Sequence, residues 1–245
     1  MRTPLKFKPK SFLDATRRDW QFDAFAWLLR NCGGYPKFVD SPLILPTDEY
    51  FPDLGMTGHA AVTALFRRVR ELAGMSEWPC GVEPGDSGER ARLVSTDRLP
   101  IIRYAPESAQ PLTLVATFAH ELARYLVDTF EETPPGGEML RDPAIDLASV
   151  FMGFGLFMAN AGFESPNHDL NEGELAHALA IFCILRKIAP ASIERYLNAH
   201  LRKYLRLAAR DLTQHDAKFQ RLRAVFPVIR LDPTLLPAAT RARQG

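Results

Sequence analysis

Four ionisable residues on one apolar stretch, and two more a short way downstream, are the residues of this chain best placed to do chemistry. Residues 113–130 read TLVATFAHELARYLVDTF. Leu114, Val115, Phe118, Leu122, Tyr125, Leu126 and Val127 surround the axis of a helix drawn through them, so that helix should be buried. Its polar residues, Thr113, Thr117, His120, Glu121, Arg124 and Asp128, recur at steps of three and four and share one stripe. Residues 142–160, DPAIDLASVFMGFGLFMAN, repeat the design, with Asp142, Asp146 and Ser149 on one stripe and Asn160 at the end. Charges on buried helices must be satisfied internally. The two stripes are therefore expected to face each other, His120, Glu121 and Arg124 against Asp142 and Asp146. Gly153 and Gly155 would let another helix approach closely. Such a grouping offers an imidazole, carboxylates suited to acid–base work or metal ligation, and one fixed cation.

The sequence His120-Glu121-Leu122-Ala123-Arg124 resembles the H-E-x-x-H helix of zinc metallopeptidases, in which two histidines one turn apart hold zinc and the glutamate is general base. Asp142-Pro-Ala-Ile-Asp146 is similar to the E-x-x-x-D of the gluzincin branch, with Asp for Glu, and begins 18 residues after Arg124. More closely, the chain resembles a set of uncharacterised bacterial proteins that carry A-H-E-L-x-H-Y and then a T-D-L-L-x-V-F-x-G-x-G-like helix. The matching stretches are AHELARYL and IDLASVFMGFG, and GELAHALAIFCIL is similar to the helix that follows. The likeness spans about residues 100–210. It implies a zincin-like core with a strand edging the H-E helix. In an active form His120 and Asp142 would bind zinc, Glu121 would activate water, and Asp146 would orient His120 for peptide-bond hydrolysis.

Arg124 stands where the second histidine of the motif is expected. A guanidinium stays protonated and has no lone pair for a metal. His120 and Asp142 remain as ligands, with Asp146 as a substitute, where zinc sites have three or four. Without zinc, Glu121, Asp142 and Asp146 need another counter-charge, and Arg124 can pair bidentately with a carboxylate. The leading expectation is a degenerate, non-catalytic metallopeptidase-like protein without cofactor, in which Arg124 replaces the metal charge and the cleft takes a peptide or partner protein. Two alternatives stay open: a zinc-dependent peptidase with unusual ligation, helped by His177 or Glu138, and an ordinary helical domain with a buried salt-bridge network. His177 is read first as a satisfied core histidine and Glu138 as a solvated loop carboxylate.

The elements that must position these residues follow from periodicity and punctuation. Apolar spacing predicts helices over 14–31, stopped by Gly33-Gly34, over 58–73, and over 112–130. Asp142-Pro143 suits a helix start, Asp as N-cap and Pro as first residue. Asn171 and Glu174 resemble a capping box opening a helix over 175–187. Ile193, Tyr196, Leu197, Leu201, Tyr204 and Leu205 mark the apolar face of a further helix, with Arg195, Arg202, Arg206 and Arg210 solvated. Short strands are expected near 41–51 and 98–104, and a loop over 80–97. The fold expected is one mostly helical α+β domain over 1–245: N-terminal helices and strands (1–97), the zincin-like core (98–165) and a helical part (166–245).

Composition sets outer limits. Net charge is +1, yet the chain from Arg186 onward holds 13 Lys and Arg against 4 Asp and Glu. Docking of that basic part on the acidic remainder is the plainer expectation; a nucleic-acid partner is not expected, because no aromatic interleaving or known signature accompanies the charge. Three widely spaced cysteines suggest a reducing compartment. No secretory-type apolar stretch opens the sequence, and the longest uncharged run, residues 147–163, is too short to span a bilayer. A cytoplasmic protein without membrane contact is expected. Trp20, Trp27 and Trp78 read as packing residues, and no phosphate-cradling glycine loop, G-x-S-x-G elbow or dinucleotide fingerprint is present.

Overall fold

A computed structural model describes residues 11–53, 55–86, 91–94, 99–105, 110–161 and 169–227. Helix α1 (Ala15–Asn31) starts where the Asp14 carboxylate accepts from Arg17 N at 2.9 Å. It stops where Gly33 and Gly34 take φ of +100° and +78°, a region open to glycine. The short α2 (Gly34–Phe38) turns the chain back, and residues 42–45 then run extended. They are not a strand, which corrects the expectation for 41–51. Ile44 N donates to Gly153 O at 3.0 Å instead of joining a sheet.

After α3 (Gly58–Leu72) come β1 (Gly81–Pro84), β2 (Arg92–Val94) and β3 (Ile101–Tyr104). The loop expected over 80–97 thus supplies two strands, while the strand expected at 98–104 is β3. The sheet order is β1-β3-β2. β1 pairs parallel with β3, setting Val82 opposite Ile102, and β2 pairs antiparallel, setting Leu93 opposite Ile102. Ile102 and Tyr104 alternate inward on the central strand.

Helix α4 (Pro111–Asp128) has Pro111 in its first turn, where no intrahelical donor is lost. A turn at Glu138–Leu140 then runs straight into α5 (Arg141–Ser149). Leu140 holds the cap position, so Asp142 sits inside the first turn and is not the N-cap expected of it. Two indole N–H groups of α1 fix the return loop: Trp20 donates to Pro135 O at 2.8 Å and Trp27 to Glu132 O at 2.9 Å. Those bonds hold α5 against α4.

Between Val150 and Phe154 the helix kinks at Gly153, whose φ is +99°. A Cβ there would lie 2.2 Å from Pro42 O, so the extended 42–45 segment reaches the kink only because the side chain is absent. At Gly155, which opens α6 (Gly155–Ala161), Leu179 comes close instead. One of the two glycines therefore admits a helix, as expected, and the other admits extended chain. The stretch Glu138–Ala161 is long and apolar enough to cross a membrane, but 94% of its apolar 18-residue window is buried inside the protein, as in a core helix.

Helix α7 (Glu172–Leu185) is buried almost all round and opens with the Asn171/Glu174 capping box. The helix expected through residues 193–205 is broken. A short α8 (Pro190–Ile193) and a turn at Glu194–Tyr196 precede α9 (Ala199–Leu212), because Leu197 adopts extended backbone. Helix α10 (Asp216–Arg223) packs on α1, with Phe219 edge-on to Phe22 at 5.2 Å. Buried residues from Phe22 to Leu222 form one continuous apolar cluster. The architecture is mostly helical α+β with a small three-stranded sheet.

Candidate functional site

The two polar stripes meet across the packed pair α4 and α5. His120 is 3% exposed and Asp146 is fully buried. His120 Nδ1 and Asp146 Oδ1 are 3.1 Å apart, while Asp146 Oδ2 accepts from the backbone N–H groups of Asp169 at 2.7 Å and Leu170 at 2.9 Å. The anion is thereby held by an imidazole on one side and a backbone turn on the other. A guanidinium N–H can only donate, and Arg124 Nη2 stands 3.3 Å from His120 Nε2. Nε2 is therefore the acceptor, and Nδ1 carries the proton that Asp146 accepts.

Arg124 lies at the centre of the group. Its Nη1 donates to Asp142 Oδ1 at 3.2 Å, and its Nε is 3.6 Å from Glu121 Oε2. Its side chain is 33% exposed and that of Asp142 56%, so the guanidinium sits at the rim with its fork turned inward. The expected juxtaposition of His120, Glu121, Arg124, Asp142 and Asp146 is present in the structure.

Glu121 is the buried carboxylate at the base of this rim. Leu93 N, on the side of β2 away from β3, donates to its Oε2 at 2.7 Å. Burial pushes the Glu121 carboxyl above its usual range; His120, the Leu93 N–H and Arg124 counter that shift, and Asp128 adds to it. The Glu121 carboxylate ties the edge strand to the H-E helix.

Zinc chemistry can be tested against the donor set. Its ligands would be His120 Nε2 and Asp142, and both already face Arg124. A dication about 4 Å from a guanidinium would meet repulsion on the order of 8 kcal/mol at an effective dielectric of about 20. Two ligands cannot offset that, so the residues present do not fit zinc with Arg124 in place. Among the described residues no group of three or more His, Cys, Asp or Glu is arranged to hold a metal ion.

No family model, no curated protein and no solved structure matches this chain. The resemblance to gluzincins therefore rests on the sequence motif alone.

The remaining candidates lie elsewhere. His177 Nδ1 is 2.7 Å from Gln21 Oε1, and its ring stacks on Phe12 with centroids 6.4 Å apart. Burial pushes its pKa down to about 3, with Arg18 and His215 adding to the shift. It is a core histidine between α1 and α7. Glu138 is 67% exposed and pairs with Arg141 at 3.7 Å. His59 bonds Tyr104 at 3.1 Å, His200 pairs with Glu172 at 2.9 Å, and His168 lies outside the described residues. Trp78 packs edge-on to Tyr125 at 5.0 Å.

Sequence reasoning missed two contributors. One is the Leu93 N–H, which no side-chain pattern reveals. The other is the 169–170 turn, whose Asp169 side chain joins the cluster electrostatically. Burial and the neighbouring Asp146 and Asp142 raise the Asp169 carboxyl, while His120 and Arg124 lower it. The available signal was the acid in NHDLNEGE just before the capping box. Neither of two large cavities, of about 680 and about 540 Å3, is lined by His120, Glu121 or Arg124. The chemistry belongs to the rim of the α4–α5 pair, not to those spaces.

Proposed function

We propose that this chain is a degenerate metallopeptidase-like protein with a zincin-like core, working in the cytoplasm without metal and without hydrolysis. Arg124 supplies the positive charge that zinc supplies in the parent motif. One observation carries this reading: a single guanidinium touches His120 Nε2, Asp142 and Glu121, the groups a zinc site of this pattern would use. A second-sphere aspartate also survives, since Asp146 orients His120 through Nδ1. The function left to such a core is recognition of a peptide or partner protein. The rim around Arg124, bordered by the edge strand β2 that Glu121 ties to α4, is where such a partner would dock. Free, largely buried thiols at Cys32, Cys80 and Cys183 accord with a reducing compartment.

The test joins metal analysis with turnover, on wild type and Arg124→His purified without chelator. Wild type is expected to carry no stoichiometric zinc and to leave casein intact. Arg124→His is expected to take up about one zinc per chain, its new imidazole completing three ligands. Stoichiometric zinc or casein cleavage in wild type would overturn the proposal in favour of a peptidase with unusual ligation. Failure of Arg124→His to bind zinc would leave the ion network as structural and remove the support for peptidase descent.

A further inference from the structure

A cavity of about 540 Å3 lies where the C-terminal ends of α1, α3 and α4 meet α2 and the kink at 150–154. That volume is typical of a small-molecule site. Phe38, Trp78, Phe130 and Phe151 give it aromatic walls, and Met75 and Met152 adaptable ones. Among the described residues its ionisable lining is Lys37 and the Cys32 thiol. Burial pushes that thiol up to about 12, so it stays uncharged and acts as part of the apolar wall.

Lys37 is exposed and makes no ion pair with any described residue. Its stem lies across Gly33: a Cβ at that glycine would come within 2.7 Å of Lys37 Cδ. The Lys37 stem thus takes this course because Gly33, in a left-handed conformation, has no side chain in its way. Ser41 also lines the cavity, and its hydroxyl forms no side-chain hydrogen bond among the described residues.

These features define a ligand with two ends. Three helix C-termini place partial negative charge around the cavity, which disfavours an anion deep inside. The aromatic and methionine side chains offer contact to a hydrocarbon, between the polar groups of Asn31, Ser41 and Thr129. Among the described lining residues the positive charge is that of the exposed Lys37. We propose that this cavity binds a medium-length amphipathic carboxylate, its acid group on Lys37 and Ser41 and its hydrocarbon body between Phe38, Trp78, Phe151 and Met152. The site is independent of the Arg124 network.

Calorimetric titration of the full chain with decanoate tests this, with decylamine as the same chain carrying the opposite charge. Decanoate is expected to saturate one site. Lys37→Gln, a change at an exposed position, should weaken it about tenfold, the loss of one charge-assisted hydrogen bond. Decylamine should bind at least about tenfold more weakly than decanoate. Ala73→Phe, which fills the cavity from the end of α3, should abolish binding. If Ala73→Phe does not fold, Lys37→Gln and decylamine decide alone. Absence of saturable decanoate binding, an unchanged Lys37→Gln, undiminished binding to folded Ala73→Phe, or an amine that binds as well as the acid would each overturn the proposal.

Discussion

Replacing Arg124 by Met keeps most of the side-chain bulk and removes the cation. Three partners lose it: Asp142, which is 56% exposed, Glu121, which is 4% exposed, and the His120 Nε2 lone pair. The Asp142 pair sits near water and is worth about 0.5 kcal/mol. Stranding a fully buried partner costs about 3–5 kcal/mol, and the 33% exposure of Arg124 reduces that to about 1–2 kcal/mol for Glu121. The expected loss is about 2 kcal/mol, a fall in Tm of about 4–8 °C for a chain of this size. Its pH dependence is the sharper readout. Glu121 is raised in the folded state from 4.5. A carboxyl raised in this way contributes most stability below its unfolded pKa and loses it as pH rises through the folded value. Arg124 is one of the groups opposing that rise, so Arg124→Met should widen its Tm deficit between pH 5 and pH 8. Adding Glu121→Gln should recover part of the deficit at pH 8, since an amide oxygen still accepts from Leu93 N. Differential scanning calorimetry of wild type, Arg124→Met, Glu121→Gln and the double variant measures this. A deficit that is absent at pH 8, or constant across the range, would show that the guanidinium does not compensate Glu121 and would refute the charge-replacement reasoning.

Other consequences are equally open to measurement. Gly153→Ala forces a Cβ to within 2.2 Å of Pro42 O at a φ of +99°, so it should lose about 3 kcal/mol or more in guanidinium unfolding. Gly155→Ala should lose less, because its nearest contact is the flexible end of Leu179. His177, lowered from 6.5 to about 3, is kept neutral in the fold. Its contribution is full above the unfolded pKa and is lost as pH falls, by about 2–3 kcal/mol at pH 4.5. His177→Asn should flatten that acid limb in urea titrations. Burial pushes the thiols of Cys32 and Cys183 up to about 12 and that of Cys80 to about 11. A thiol-disulfide reagent at pH 8 should therefore leave the native chain largely untouched and titrate all 3 cysteines after denaturation.

What could be read from sequence was what repeats along a helix. The stripes of α4 and α5 show themselves because each charged residue falls among apolar ones at helical spacing, and buried charges leave few ways to pair. The ends of α1 and α7 show themselves through Gly33-Gly34 and through Asn171 with Glu174. β1 and β2 do not. They are four and three residues long, include Gly81, Pro84 and exposed charges, and exist only through pairing with β3. Residues 42–45 have the composition of a strand, but Ile44 spends its N–H on Gly153, a partner fixed only once the kink has formed. Asp142-Pro143 has the form of a helix start, but the preceding turn runs into the helix and leaves the Asp142 carboxylate to Arg124.

The same distinction explains how a monovalent side chain can serve where a divalent ion is expected. Glu121 and Asp142 present two carboxylates to one guanidinium and Asp146 a third to His120, which leaves buried acceptor capacity that Arg124 does not fill. The structure fills it with backbone donors: Leu93 N on Glu121, and Asp169 N and Leu170 N on Asp146. A charge-assisted hydrogen bond from a backbone N–H contributes about 1.5–3 kcal/mol. Three such bonds can therefore rival the cation itself. Each belongs to a segment outside the helix pair, the edge strand in one case and the turn before α7 in the other. The proposed replacement of a metal charge by arginine thus depends on distant segments being folded. That ties the sheet edge and the entry to α7 to the α4–α5 pair, and an isolated H-E-x-x-R helix would not reproduce the site.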